Sequence, residues 1–436
     1  MFSRKPRRPK SPELLEAWES LDSGDIPGAL RLLRSGTDGL PLGETALVVG
    51  RAAGAAGFDD LQQAAEAVVA HPDRAQELYD YGFACVERGV AYLAIPALRE
   101  ASRQVPGAKA VLRELVSAYE REGRHGEAVE LLGANEGDLA DWPDRYLLVY
   151  NALMTVSYTH HVYKRQHALL PDPEDPQWLG AQARQSRMLA RAAEAERAGS
   201  LDLTDLRGWQ YVLGGTVLGT LSPYGFGAGM TGRYAWLQDT HDQCLRGLLR
   251  LKTVLAAAGA RPTSVSLLPD RGSRILGLAA AEVLGLPALP FAAERADTVV
   301  VAYDLNDVDP EIIGDLFERA PGQVLHEHAS CWTDAPAVTA DSITLLHQQA
   351  TAPWAGVLRQ SDDGGVERSA PDDRPEAEIA ADIVGADPTP DEGDDEAPAD
   401  PDGRLTEFVT AIRGSWLQGD RAQLSSWGPV PSSRFV

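Results

Sequence analysis

The chain reads AQELYDYGFACVERGVAYLAIPALREASRQVP at residues 75–106 and KAVLRELVSAYEREGRHGEAVELL at residues 109–132, and the second stretch repeats the first at a shift of 34 positions. At that shift Leu78 aligns with Leu112, and Ala94 aligns with Ala128. A fixed period of this length is typical of stacked helical hairpins, because one hairpin cannot bury its apolar face alone. The repeat therefore predicts a helical array.

Glycines mark the expected turn inside each hairpin. Gly24, Gly57, Gly89 and Gly123 are 33, 32 and 34 residues apart. Glycine adopts a left-handed backbone conformation without steric cost, so each one is expected to end the first helix of its hairpin. The spacing extends the array upstream, with two further hairpins predicted at 11–34 and 44–70.

The third and fourth hairpins resemble tetratricopeptide repeats (TPR), and the resemblance covers about residues 11–140. The third follows the family pattern at Leu78, Tyr81, Gly82, Gly89, Ala94, Leu98, Ala101 and Pro106, and the fourth departs from it at Val116. The resemblance implies a concave groove that binds peptides and is lined by the first helix of each hairpin. By register the groove would present Gln76, Tyr79, Phe83, Val86 and Glu87, followed by Ala110, Arg113, Ser117, Glu120 and Arg121. In the alternative, the C-terminal domain fills this groove.

Composition limits the function classes. The chain has 436 residues, a net charge of −24, and 35 Arg against 5 Lys, a bias typical of high-GC bacterial genomes. Residues 361–402 hold 16 acidic residues and 2 Arg, so this segment is predicted to be disordered. The remainder is mildly acidic, which argues against nucleic acid as a partner. Apolar stretches stay below the ~18 residues of a membrane helix. We therefore expect no membrane partner and a cytoplasmic protein.

From residue 238 onward, apolar runs alternate with helical patterns. The expected strands are SVSLLP at 264–269, TVVVAYD at 298–304 and QVLHEHAS at 323–330, and residues 340–359 are expected to close the domain as a helix. Buried strands alternating with helices predict a parallel sheet covered on both faces. The fold class is therefore an N-terminal TPR-like α-solenoid followed by a Rossmann-like three-layer α/β domain.

Polar residues follow the strands expected at 264–269 and 298–304, where ligands bind in open parallel sheets. The candidate ligand-binding residues are Asp270, Arg271, Gly272, Ser273, Arg274, Asp304 and Asp307. This region resembles a degenerate phosphoribosyltransferase, and two arginines at a helix N-terminus suit a phosphate or carboxylate. Acidic residues replace that family's phosphate loop, so a purely structural role for these loops is the alternative.

His326 and His328 share a strand face, and Cys331 and Asp304 follow nearby strands. These residues lack the CxxC or HExxH spacing of zinc sites, so we expect no metal, no cofactor and no catalytic residue here.

The predicted organisation has six parts: a basic disordered arm at 1–10, repeats at 11–142, a helical connector at 143–200, the α/β domain at 201–359, a disordered acidic linker at 360–403, and an amphipathic helix with a tail at 404–436. Within the connector, residues 156–166 (VSYTHHVYKRQ) resemble translated sequencing-adapter DNA. The predicted function is a scaffold that binds a protein or peptide in the groove, with the tail helix as a second docking element or plug. The alternative is an enzyme or sensor that binds a small phosphorylated ligand at 269–274.

Overall fold

A computed structural model describes residues 8–36, 39–155, 168, 170–202, 204–356, 358–360 and 366–422. The chain divides into two compact units. Met1–Ala152 with Arg165–Glu174 forms a helical unit, and Leu153–Lys164 with Asp175–Val436 forms an α/β unit. The suspected adapter segment 156–166 and much of the predicted basic arm and C-terminal tail lie outside the described residues. Each helix that the structure describes is too short or too polar to cross a bilayer.

The helical unit consists of paired helices in the predicted places. Its bounds are α1 Pro12–Asp22, α2 Ile26–Gly36, α3 Leu42–Ala56, α4 Asp59–Ala70, α5 Ala75–Glu87, α6 Ala91–Gln104, α7 Lys109–Arg121, α8 His125–Ala134 and α9 Trp142–Met154. The four turn glycines, Gly24, Gly57, Gly89 and Gly123, all have positive φ angles between 65° and 84°. The prediction that a left-handed glycine separates the helices of each hairpin is confirmed.

Close approach inside the third hairpin depends on Gly82. A Cβ atom built at this position would lie 2.5 Å from Cγ of Leu98, which is closer than two carbon atoms can pack. Leu98 and Ala94 on α6 are fully buried, as are Leu78 and Cys85 on α5. The glycine therefore lets α5 and α6 share one continuous core.

The α/β unit contains α10 Leu179–Ala195, α11 Leu206–Gly214, β1 Val217–Leu218, β2 Tyr234–Gln238, α12 His241–Ala258, β3 Ser264–Leu267, α13 Arg271–Leu284, β4 Ala288–Pro290, β5 Thr298–Ala302, α14 Pro310–Leu316, β6 Val324–Cys331, β7 Ser342–Thr351, β8 Leu358–Gln360, β9 Val366–Arg368, α15 Glu376–Val384 and α16 Asp402–Ile412. Seven strands form a parallel sheet in the order β1-β7-β6-β5-β3-β4, and β2 also pairs with β7. The predicted parallel sheet with helices is confirmed. Because α10 packs on α11 and α16, the second half of the predicted connector belongs to this unit.

The strand order reverses beside β3. From β3 the chain passes to the edge strand β4 and then returns to β5 on the other side of β3. The loops after β3 and β5 therefore lead in opposite directions, and we give the name crevice to the region at the ends of these two strands, where ligands of open α/β sheets bind.

The prediction of a closing helix at 340–359 was wrong. Ser342–Thr351 forms β7, the longest strand of the sheet, and pairs with β6. The run SITLLH is fully buried between two layers. A buried apolar run fits either a helix or a strand, and here pairing with β6 decides for the strand.

The acidic segment 360–403 was predicted to be disordered, and the described part contradicts this. α15 buries Ile379, Ala380 and Ile383 and packs against α13. Farther along, Asp400 pairs with the buried side chains of Arg207 and Arg250, at 2.9 and 3.0 Å. The acidic composition of the segment gave no sign of the short apolar face of α15. It also could not show the two buried arginines that pair with Asp400, because they are distant in sequence.

The predicted tail helix is an integral part of the α/β unit. α16 buries Leu405, Phe408, Val409 and Ile412. Beyond it, Arg421 is buried and bonded to Asp341. The idea of a free second docking element or plug is therefore wrong for Asp402–Ile412, because the apolar face of this helix already has its partners.

Candidate functional sites

The first helices of the third and fourth hairpins, α5 and α7, contact each other and carry the predicted groove residues. Phe83 is 46% exposed although most apolar neighbours on α5 are buried. Tyr79 is half-buried, and its ring stacks on that of Phe83 at 6.4 Å between centroids. Glu87 and Arg121 are exposed and lie 3.9 Å apart, whereas Ser117 is half-buried. Gln76 is exposed and donates to Asp80.

Three of the predicted groove residues are engaged inside the helical unit. Val86 is buried, so its assignment to the groove was wrong. Arg113 forms a two-bonded ion pair with the buried Asp144, at 2.7 and 2.8 Å. Glu120 accepts a hydrogen bond from Asn151. Asp144 and Asn151 belong to α9, which the predicted register did not include. Arg113 and Glu120 are therefore bonded to α9 instead of being available to a peptide.

Glu114, which the sequence analysis missed, gives this surface an acidic character. Burial, and then the charge of Glu87, raises the pKa of the Glu114 carboxyl, while Arg121 opposes the shift. Burial, followed by Glu114, likewise raises the pKa of Tyr79. A side chain three positions before Ser117 on α7 lies on the same helix face, so helical spacing could have revealed it. We call Gln76, Tyr79, Phe83, Glu87, Glu114, Ser117 and Arg121 the Tyr79–Phe83 surface.

The loop after β3 lies at the strand reversal, as the sequence predicted. Asp270 caps α13 by accepting a hydrogen bond from the Ser273 amide, and Ser273 Oγ accepts one from the Tyr303 amide. Gly272 packs near Tyr303. The bond between Ser273 and Tyr303 links the ends of β3 and β5.

The two arginines of this loop contact the acidic segment. Arg271 donates to the main-chain oxygens of Asp372 and Arg374, at 3.0 and 2.9 Å. Arg274 pairs with Glu376 at 3.0 Å. Arg271 and Arg274, which were predicted to hold a phosphate, are therefore both bonded to oxygen atoms of the chain itself.

Carboxylates dominate the remainder of the crevice. Burial raises the pKa of Asp304 to about 6, and burial followed by the charge of Asp270 raises the pKa of Asp307. Behind them the buried Glu327 accepts a hydrogen bond from the Leu305 amide, and burial followed by Asp304 raises its pKa to about 8. Negative charge concentrated in this way disfavours a phosphate group.

A buried polar cluster lies at the end of β2, and we call it the Asp239 cluster. Oδ2 of Asp239 is 3.0 Å from Nε2 of His328, 3.4 Å from Sγ of Cys244 and 2.9 Å from the hydroxyl of Tyr303. Sγ of Cys244 and Nε2 of His328 are 3.8 Å apart. All four side chains are buried. Asp239, Cys244 and His328 thus bring three metal-ligand atoms within 4.8 Å of one another.

Sequence reasoning considered His328 with His326, Cys331 or Asp304, and the structure separates these residues. His326 contacts the Ser342 and Thr344 hydroxyls, and burial, followed by the charge of His328, lowers its pKa to about 3. Cys331 contacts the main-chain oxygen of Gln348. The true neighbours of His328 are distant in sequence and formed no recognisable motif.

No protein-family model, curated protein or solved structure matches this chain. The function must therefore be inferred from the residues themselves.

Proposed function

We propose that the protein is a scaffold whose helical unit, a tetratricopeptide-type array, binds a peptide segment of a partner protein at the Tyr79–Phe83 surface. The observation that carries the proposal is the exposure of Phe83. A phenylalanine with 46% of its area in water, stacked on a second aromatic ring, lies on the exposed face of α5 together with Gln76 and Glu87. Aromatic residues are enriched at the centres of protein interfaces, where a few residues carry most of the binding energy.

The charges around the rings indicate the chemistry of the partner segment. Burial and the charge of Glu87 disfavour the charged form of the half-buried Glu114, and Arg121 offsets this only in part. A cation placed between the two glutamates would relieve this repulsion and stabilise both carboxylates. The favoured occupant is therefore a peptide with an apolar or aromatic anchor and a nearby lysine or arginine.

The alternative of a phosphate-binding enzyme or sensor receives less support. Arg271 and Arg274 are engaged by residues 372–376. Asp270, Asp304 and Asp307 share the crevice with them. A phosphorylated ligand would have to displace residues 372–376 from the two arginines and bind beside the three aspartates.

The proposal is tested with random peptides displayed on phage and selected on the full-length protein. Selected peptides should share an apolar anchor and a basic residue. Phe83→Ala should weaken their binding by at least ~10-fold, as for an interface hot spot. Glu114→Gln should weaken it by about five-fold, corresponding to about 1 kcal/mol for a partly exposed ion pair.

Phe58 provides a matched control because it is another exposed phenylalanine of the same unit, with 40% exposure. Phe58→Ala should leave peptide binding unchanged. The proposal fails if Phe83→Ala and Phe58→Ala behave alike, or if the selected peptides are acidic. Circular dichroism of each variant confirms that the helices are intact.

A further inference from the structure

We propose that the α/β unit binds one Zn²⁺ ion through Asp239, Cys244 and His328. The side chains supply one carboxylate oxygen, one sulfur and one imidazole nitrogen, and these atoms are separated by 3.0, 3.4 and 3.8 Å. Zinc bonds of about 2.0–2.3 Å at tetrahedral angles require ligand separations of about 3.3–3.6 Å. The three atoms therefore need to move by only a few tenths of an ångström to coordinate zinc.

The hydrogen bonding of Asp239 also fits a cation at this point. Three donors, on His328, Cys244 and Tyr303, converge on Oδ2, while Oδ1 accepts from the Thr240 amide. A carboxylate oxygen has two lone pairs, so three protons directed at one oxygen crowd each other. A metal ion at this point replaces the protons of the thiol and of Nε2 and leaves the Tyr303 hydroxyl as a supporting hydrogen bond.

Charge balance favours the same occupant. The buried carboxylate of Asp239 carries one negative charge, and a thiolate at Cys244 carries a second. A neutral imidazole adds none, so a divalent cation makes the buried site neutral, which removes most of the cost of burying ionised groups. On binding, the Cys244 S–H bond breaks, a sulfur–zinc bond forms, and the thiol proton passes to solvent, while the imidazole stays neutral by carrying its one proton on Nδ1 instead of Nε2. No oxidant or reductant takes part.

The ligands are held in place before a metal arrives. Asp239 and Cys244 flank the first turn of α12, and His328 projects from β6. Gly247 lets α12 approach the imidazole, because a Cβ atom there would lie 2.9 Å from its Nδ1. A thiolate and an imidazole together select zinc over magnesium or calcium. Three protein ligands leave the fourth tetrahedral position of the zinc to a water molecule, and the ion would tie β2 and α12 to strand β6.

A large cavity lies beside the first turn of α12. Thr240 and Gln243, the neighbours of Asp239 and Cys244 in sequence, line a cavity of about 990 Å³. The first turn of α12 therefore lies between this cavity and the three ligands.

The test uses untagged full-length protein produced with zinc and, separately, with cobalt. Elemental analysis should find one zinc per chain, and the cobalt form should show a thiolate-to-metal charge-transfer band. Both should be lost in Cys244→Ser. Both should persist in Cys331→Ser, which removes another buried thiol of the same unit.

A wild-type measurement keeps the proposal testable if Cys244→Ser fails to fold. X-ray absorption at the zinc edge should fit one sulfur ligand together with nitrogen and oxygen ligands. The proposal is overturned if the wild-type protein is metal-free and shows no charge-transfer band. It is equally overturned if the absorption fit needs no sulfur, or if the band survives Cys244→Ser or disappears in Cys331→Ser.

Discussion

Replacement of Arg421 by methionine should destabilise the α/β unit strongly. The guanidinium is 1% exposed and bonds to Asp341 Oδ2 at 2.8 and 3.1 Å, to Gln323 Oε1 at 3.0 Å and to the Leu316 carbonyl at 2.9 Å. Methionine fills much of the same volume but leaves these acceptors without their donor. Loss of one partner of a buried pair typically costs about 3–5 kcal/mol. Because Arg319 still contacts Asp341, we expect a loss near the lower end, about 3 kcal/mol.

Urea unfolding followed by tryptophan fluorescence measures this loss, since the Trp416 indole donates to the Asp341 carbonyl. Arg413→Ala is the control, because Arg413 is an exposed arginine of the same segment and its removal should change stability by less than about 0.5 kcal/mol. A loss below about 1 kcal/mol for Arg421→Met would refute the reasoning, since buried acceptors cannot lose a charged donor so cheaply.

The same pair predicts a dependence on pH. Burial alone would raise the pKa of Asp341, but the charges of Arg421 and then Arg319 outweigh it and lower the pKa below the ordinary value of 3.8. A carboxyl with a lowered folded-state pKa stabilises the fold above its unfolded-state pKa and loses this contribution as the pH falls. The difference between the wild-type protein and Arg421→Met should therefore shrink below about pH 4.

Two further predictions concern packing and burial. Gly82→Ala should lower the free energy of unfolding by about 1–3 kcal/mol, because the new Cβ would lie 2.5 Å from Leu98. The control is Gly133→Ala, which should be neutral or stabilising because nothing lies within 4 Å of a Cβ atom there. Equal effects of the two substitutions in urea unfolding would contradict the packing argument. Burial, followed by a neighbouring carboxylate, raises the pKa of Glu327 from 4.5 to about 8, so the folded protein keeps a proton that the unfolded chain releases, and stability should fall as the pH rises through this window. Glu327→Gln should reduce that slope in melting temperatures measured from pH 5 to pH 9, whereas the exposed Glu318→Gln should keep it; a slope unchanged in Glu327→Gln would count against the assignment.

The helical unit was largely readable from the sequence because its signals are local. A hairpin repeats its apolar positions and its turn glycine within a few tens of residues, so Gly57 and Gly89 identify their turns without knowledge of the fold. The exposed Phe83 also followed from register alone. The burial of Val86 and the ion pair of Arg113 could not be predicted from register, because they depend on neighbouring helices, including α9.

The parallel sheet was likewise predictable as a class, from buried β-branched runs alternating with helices. The pairing of individual strands and the order of the acidic segment were not predictable from the sequence. The run at Ser342–Thr351 became a strand because β6 offered it a pairing edge. The acidic segment is ordered around Asp400 because this carboxylate pairs with Arg207 and Arg250. Local sequence could not show this, since the two arginines lie 193 and 150 residues earlier in the chain.

The sequence by itself determined the helical hairpins, their turns and the presence of a covered parallel sheet, since spacing and hydrophobicity act between near neighbours. Only the tertiary structure decided which distant polar groups meet. His328 is 84 residues from Cys244 and 89 from Asp239, and these three become neighbours because the fold brings β2, α12 and β6 together. A ligand set assembled in this way has no linear spacing to recognise, because its geometry is created by the packing of the chain.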